Sequence, residues 1–156
     1  MMEELFNQPV REGAVEMIGV RSKRLAPLTA VETVQATSAE GLVGDHFSGK
    51  SSTRQVTLIQ FEHIAAIASF LGLEKLDPLA LRRNLVISGI NLLGLKDKQF
   101  AIGEVLLEHT GPCHPCSRME KLFGPGGFQA TRGHGGITAR VVDGGWIRRG
   151  DAVRLT

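Results

Sequence analysis

Glycine and proline cut this chain into pieces too short for an architecture of long helices. Nineteen glycines and six prolines are spread over 156 residues, and the apolar residues between them fall mostly in short runs. Glycine opens left-handed conformations and proline withholds a backbone donor, so each break ends a strand or makes a turn. One stretch escapes this punctuation. From Phe61 to Leu71 the apolar residues Phe61, Ile64, Ala65, Ala68 and Leu71 keep helical spacing, and Gly72 follows as a helix stop. The pattern predicts one amphipathic helix there.

Nearly everything else reads as β structure. Strands are predicted over 14–20 and 31–37, linked through Pro27, and over the alternating, β-branched Arg54–Ile59. Further strands are predicted over Leu85–Ser88, Gln99–Thr110, Ile137–Val142, Gly145–Ile147 and Ala152–Leu155. Gly103 interrupts the longest of these, which predicts a bulge or sharp bend. Asp77 before Pro78 is an N-cap signal for a short turn running through Arg82 and Arg83. Ser117–Phe123 reads as a short helix stopped by Gly124. Residues 41–46, 47–53, 124–127 and 132–136 read as loops, with the Ser- and Gly-rich 47–53 expected to be the most mobile. Asp143-Gly144 and Arg149-Gly150 read as turns. Many short strands with one solid helix predict a mainly β fold, a closed barrel with short accessory helices, in a single domain over 1–156.

Charge excludes some functions. Eighteen basic against sixteen acidic residues give a net charge of +2, too balanced for a general nucleic-acid or membrane-surface binder. No apolar run approaches the roughly 20 residues of a membrane span. The N-terminal stretch lacks the basic and apolar regions of a secretory signal, so a cytoplasmic protein is expected.

The only two cysteines lie in Thr110-Gly-Pro-Cys-His-Pro-Cys-Ser-Arg-Met-Glu120. In a reducing compartment such a pair points to metal, redox or sulfur chemistry rather than a staple. Cys116 precedes the Ser117 helix and Arg118, and both a positive helix end and a guanidinium favour thiolate, the form that binds soft metals. Several alternatives stay open at this stage. Zinc could take Cys113, His114 and Cys116, but a structural site wants four ligands and no second ligand pair follows. A thioredoxin-like pair wants a βαβ setting that the strands do not supply. Two small apolar fillers in a turn are the plain reading.

Seven motifs in one order carry a family resemblance. They are Gly-Leu-Val-Gly-Asp-His at 41–46, Arg-Gln-Val-Thr-Leu-Ile at 54–59, Arg-Asn-Leu-Val-Ile at 83–87, Ile102-Gly103, Cys113–Cys116, Arg132-Gly133, and Gly-Asp-Ala-Val at 150–153. This resembles the MOSC domain, named for the C-terminal domain of molybdenum cofactor sulfurases, from about residue 14 onward. The resemblance implies a barrel with the cysteine loop at a pocket mouth, binding molybdenum cofactor, a molybdenum held by the dithiolene of a pterin phosphate. It places the functional thiol at Cys116, as molybdenum ligand or persulfide carrier, and gives Cys113 no set role.

Molybdenum with two pterin sulfurs needs one protein thiolate, and the cofactor's phosphate needs cations or amides. The candidates are Arg54, Arg83, Asn84, Arg118 and Arg132, with Gly133, Gly135 and Gly136 as an amide cradle. Arg82 reads as a surface charge. Asp45 and His46 read equally as turn or pocket residues, His114 and His134 as proton donors. His63 and Asp151 read as structural. Two functions are implied: reduction of N-hydroxylated compounds with electrons from a separate reductase, or delivery of cofactor or sulfur between a cysteine desulfurase and an acceptor molybdoenzyme. A chemically inert interaction barrel is the third reading.

Overall fold

The computed structural model describes residues 1–47 and 49–156; Ser48, in the 47–53 segment, lies outside the described residues. In chain order the elements are α1 (Met2–Phe6), β1 (Gly13–Val20), β2 (Thr29–Val31), β3 (Thr33–Thr37), β4 (Gly41–Leu42), β5 (Val56–Gln60) and α2 (Phe61–Leu71). A 3₁₀ turn at Pro78–Leu81 leads to β6 (Leu85–Ser88), and a second at Leu92–Leu95 to β7 (Gln99–Ile102) and β8 (Val105–Pro112). The remainder is α3 (Ser117–Phe123), α4 (Gly127–Thr131), β9 (Ile137–Asp143), β10 (Gly145–Arg148) and β11 (Ala152–Leu155).

Seven strands close on themselves in the order β1-β11-β7-β8-β9-β5-β6, and β6 returns to β1. Neighbours are antiparallel except β5 and β6, which run parallel because α2 carries the chain back between them. The pair β1–β11 joins Gly13 to Val153 and so closes the barrel with the two ends of the chain. A small sheet, β10-β3-β4, covers one side. It shares the barrel's core: Val34, Ala36, Leu42 and Ile147 pack with Leu58, Leu85, Ile87, Phe100, Leu107 and Val141. On the opposite faces of β5 and β6, Ile59 and Val86 pack with Ile64, Ile67 and Met119 beneath α2 and α3. Burial on both faces explains the unbroken apolar run Leu85-Val86-Ile87.

Helix α2 and its Gly72 stop (φ +74) form as expected, and Asp77 caps the 3₁₀ turn by accepting from Leu79 N at 3.0 Å. Five expectations are corrected. The strand expected over 31–37 is two strands in different sheets, split at Glu32, where the inward parity changes between Val31 and Val34. The single strand expected over Gln99–Thr110 is a hairpin with Ile102 opposite Val105, and the sharp bend expected at Gly103 (φ +56) is its tight turn. Asp143-Gly144 carries the chain from barrel to small sheet instead of folding back on itself. Helix α4 fills the interval between the loops expected at 124–127 and 132–136 and takes Gly127 from the first, and β4 occupies the start of the 41–46 loop. Helix α4 has no cap of its own: Glu120 of α3 accepts from Gly126 N and Phe128 N, which also pulls the Glu120 carboxyl below the usual range. A cap borrowed from another helix leaves no local signal. No helix here is long and apolar enough to cross a membrane.

Gly136 lies where the last loop crosses β5. With φ +89, a Cβ there would overlap the Leu58 carbonyl oxygen. Gly136→Ala is therefore expected to cost at least about 3 kcal/mol in urea unfolding, through clash and left-handed strain together. Gly133→Ala has the same φ sign but open space, and should cost about 1–2 kcal/mol.

Candidate functional site

The cysteine loop hangs from the end of β8 and is fixed from beneath by one buried cation. Arg82 takes a left-handed conformation (φ +64) at the end of the 3₁₀ turn, and Arg83 is then buried under the loop. Arg83 Nε donates to Gly135 O at 2.8 Å and Nη1 to Leu81 O at 3.2 Å. Its Nη2 donates to both Cys113 O and His114 O at 3.4 Å. Four carbonyls thus solvate a guanidinium that water barely reaches. Cys113 N completes the anchorage by donating to Gly136 O at 2.9 Å. Asn84 is equally occupied: Oδ1 accepts from Thr57 N and Thr57 Oγ1 at 3.1 Å, and Nδ2 donates to Gly19 O. Both residues of the Arg-Asn motif are hydrogen-bonded to the framework.

Above them lies a cleft of about 390 Å³ lined by both cysteines, Cys113 buried and Cys116 exposed. That volume falls in the range of small-ligand sites. Cys116 immediately precedes α3, and its carbonyl accepts from Met119 N at 3.0 Å. The cations come from four segments: Arg21 and Arg24 after β1, Arg54 before β5, Arg82 and Arg83 before β6, Arg118 and Lys121 on α3. Among the described residues none of the seven forms an ion pair, and no carboxylate lines the cleft. The Arg118 Nε is buried without a partner.

This crowding leaves an electrostatic mark. Burial first, and then the charges of Arg118 and Arg83 against the opposing pull of Asp45, lower the Arg21 pKa from its ordinary value. Burial and the charges of Arg21 and Arg118 do the same to Arg82. Both stay protonated, so their repulsion is a standing cost that a bound anion would relieve. A thiolate at Cys116 acts in that sense on both guanidinium groups.

Asp45 is buried beside the cleft, its Oδ1 accepting from Arg21 N at 3.1 Å and its Oδ2 without a partner. It thereby holds the turn that carries Arg21. Phe47 lies beneath the Arg21 guanidinium at 4.9 Å, with the His46 ring edge-on at 5.3 Å. Partial burial, then the charges of Lys50 and Arg21, push the His46 pKa down. His114 is exposed and lines the cleft.

Three expected residues lie elsewhere. Arg132, Gly133 and His134 are not among the cleft's lining; Arg132 and Gly133 face solvent, and His134 Nδ1 sits 3.2 Å from His63 Nδ1 under Phe70. The glycine-rich segment instead contributes the Gly135 and Gly136 carbonyls to Arg83 and Cys113. Arg82, read as a surface charge, lines the cleft and also donates to Ala26 O at 3.1 Å. Arg21, Arg24 and Lys121 were not singled out in the sequence. The basic cluster Arg21-Ser-Lys-Arg24 was the available signal. Among the described residues no three His, Cys, Asp or Glu side chains meet as metal ligands.

A seven-stranded barrel whose cysteine loop opens on a cationic cleft defines a class, and the sequence comparison gives it a family. The model of the MOSC domain matches residues 42–154, and the chain belongs to that family. Among solved structures it is similar to YuaD from Bacillus subtilis, with a TM-score of 0.76 and 18% identity over 92% of this chain and 94% of that one. It is also similar to YiiM from Escherichia coli, with a TM-score of 0.72 and 18% identity over 94% of this chain and 70% of that one. YiiM from Geobacillus stearothermophilus gives a TM-score of 0.70 at 17% identity over 92% and 75%. No curated protein sequence matches the chain.

Two outcomes follow from these contacts. Arg83→Ala removes a buried cation and strands four carbonyls, so unfolding free energy should fall by about 3–5 kcal/mol, with amide exchange accelerated across 113–116. Arg83→Lys should recover little, because an ammonium cannot fork to the same carbonyls. Separately, burial and then the charge of His134 push the His63 pKa below its ordinary value, opposed by Glu62. The native state therefore holds that proton more weakly than the unfolded chain. His63's contribution should be complete above the unfolded pKa of about 6.5 and decline as pH falls through the lower native value. Urea titrations from pH 7.5 to 5 should show that decline, reduced in His63→Phe.

Proposed function

We propose that this MOSC domain binds molybdenum cofactor in the cationic cleft, with Cys116 as the thiolate facing the metal. The observation that carries the reading is an exposed thiol on a cleft lined by seven cations and, among the described residues, no carboxylate. The donor set suits the group: one thiolate completes a metal already held by two pterin sulfurs, and a phosphate takes the guanidinium groups. Arg118, whose buried Nε lacks a partner, and Arg54 and Arg24, which carry no side-chain hydrogen bond to a described residue, are the phosphate donors. Arg83 supports the loop from below. His46 and His114 are the groups near the thiol able to hold or move a proton. When bound, the cofactor supplies a redox metal for oxygen- or sulfur-transfer chemistry. The exposure of Cys116 favours a protein that works with a partner, receiving electrons from a reductase or passing cofactor or sulfur onward.

The test is elemental. Protein made in cells that synthesise the cofactor should carry molybdenum and pterin. Cys116→Ser should lose the metal and any cyanide-releasable sulfur, while Cys113→Ser keeps most of both. Arg54→Ala and Arg118→Ala should each weaken retention by about tenfold to a hundredfold, the worth of one charge-assisted bond. Metal retained in Cys116→Ser removes the thiol from the site. Reduction of an N-hydroxylated compound by loaded protein with a chemical reductant would separate the enzyme from the carrier.

A further inference from the structure

Cys116 faces two clefts. Arg54, His114 and Cys116 line the cationic cleft, and the same three residues line a second, adjoining one of about 450 Å³ whose other walls are its own. The far wall of this second cleft is Thr110, Gly111 and Thr138, where β8 meets β9. Pro112 and Pro115 also line it and stiffen the loop that carries Cys116.

Its chemistry differs from that of the first. Thr110 Oγ1 donates to Thr53 O at 2.6 Å, so the proton of its 2.8 Å bond with Thr138 Oγ1 comes from Thr138. Both hydroxyl protons are therefore spent. The donors left facing the space are the Arg54 guanidinium, the His114 imidazole and the Thr53 hydroxyl, and none of the three side chains bonds to a described residue. No carboxylate lines this cleft among the described residues. An occupant must bring acceptors, and a cation would meet Arg54 with nothing to offset it.

We infer that the second cleft is the site of a second reactant: a small, oxygen-bearing acceptor molecule, neutral or anionic, that reaches Cys116 past Thr110, Gly111 and Thr138, none of which lines the cationic cleft. This rests on the reading of Cys116 as the functional thiol. His114 and the Thr53 hydroxyl hydrogen-bond to the acceptor's oxygen, while Arg54 stays with the phosphate of the first cleft. Most walls of the second cleft are absent from the first, so the two occupants have separate footprints beside Cys116.

Gly111 provides the plug that tests it. A Cβ at this position would meet only Thr138 Oγ1, at 3.8 Å, with no positive φ to strain it. Gly111→Phe therefore projects a ring into the second cleft, and Gly111→Leu is a smaller plug should phenylalanine unfold the protein, as judged by thermal melting. The readout is the rate of Cys116 alkylation by iodoacetamide, followed by peptide mass spectrometry, with and without saturating pyrophosphate in the cationic cleft. Thiol reactivity follows access, so wild type should keep most of its rate with pyrophosphate present, while the plugged variant slows about tenfold under the same condition. Without pyrophosphate the plug alone should slow the reaction about twofold or more. Complete shielding of the wild-type thiol by pyrophosphate, or a plugged variant that reacts at the wild-type rate, would overturn the second approach. Calorimetry follows pyrophosphate itself. Failure of pyrophosphate to bind counts against the phosphate reading of the cationic cleft, and the pyrophosphate-free comparison then decides the second cleft alone.

Discussion

The rest of the site depends on a single buried guanidinium. Arg83 gathers carbonyls from its own turn, from the cysteine loop and from the glycine-rich segment before β9. Those three segments are distant in sequence, and the β8–β9 ladder, which ends at Pro112 and Ile137, joins only two of them. A positive charge that water barely reaches tolerates only a full shell of dipoles, so the shell has one geometry rather than several. The loop that presents Cys116 inherits that single geometry. A cation, not a hydrophobic contact, fixes the site, which places a costly group where precision matters more than stability.

The barrel was legible because its strands obey local rules. Alternating β-branched runs, glycine breaks and one helical period specify β5, α2, β6, β9 and β11 without help from the rest of the chain. Legibility failed where partners are remote. Glu32 separates two strands only because the small sheet exists to receive the second, and α4 forms because Glu120, on another helix, caps it. The same division holds in the site. Cys116 and its helix were readable from prolines and spacing. Arg83 and Arg132 looked alike on paper, each a cation beside a motif, but one is enclosed and the other faces solvent. Burial is a property of the closed fold and leaves no trace in the spacing of charges.

A net charge of +2 also concealed the cleft. The chain's carboxylates are placed elsewhere: Glu108 pairs with Arg140, Glu32 with Arg149 and Glu104 with Arg148. These exposed pairs contribute little to stability. Their distribution leaves the cleft's cations unneutralised, so its positive character arises from segregation of charge rather than from its excess. Asp45 is the exception that sustains the pattern, since it holds the Arg21 turn from outside the lining.

The seam between β1 and β11 carries a consequence for the order of events in a cell. Val153 must find Gly13 before the cylinder is complete, a closure between residues almost the whole sequence apart, and such non-local pairings form late. A ribosome releases the chain from its beginning, so β1, β5 and β6 emerge with an open edge and the cysteine loop follows with nothing yet to brace the wall behind it. The cleft then matures only after synthesis has passed the last strand. The cleft is thereby confined to the finished molecule, and a nascent chain presents its two cysteines to the surroundings before the walls around them exist.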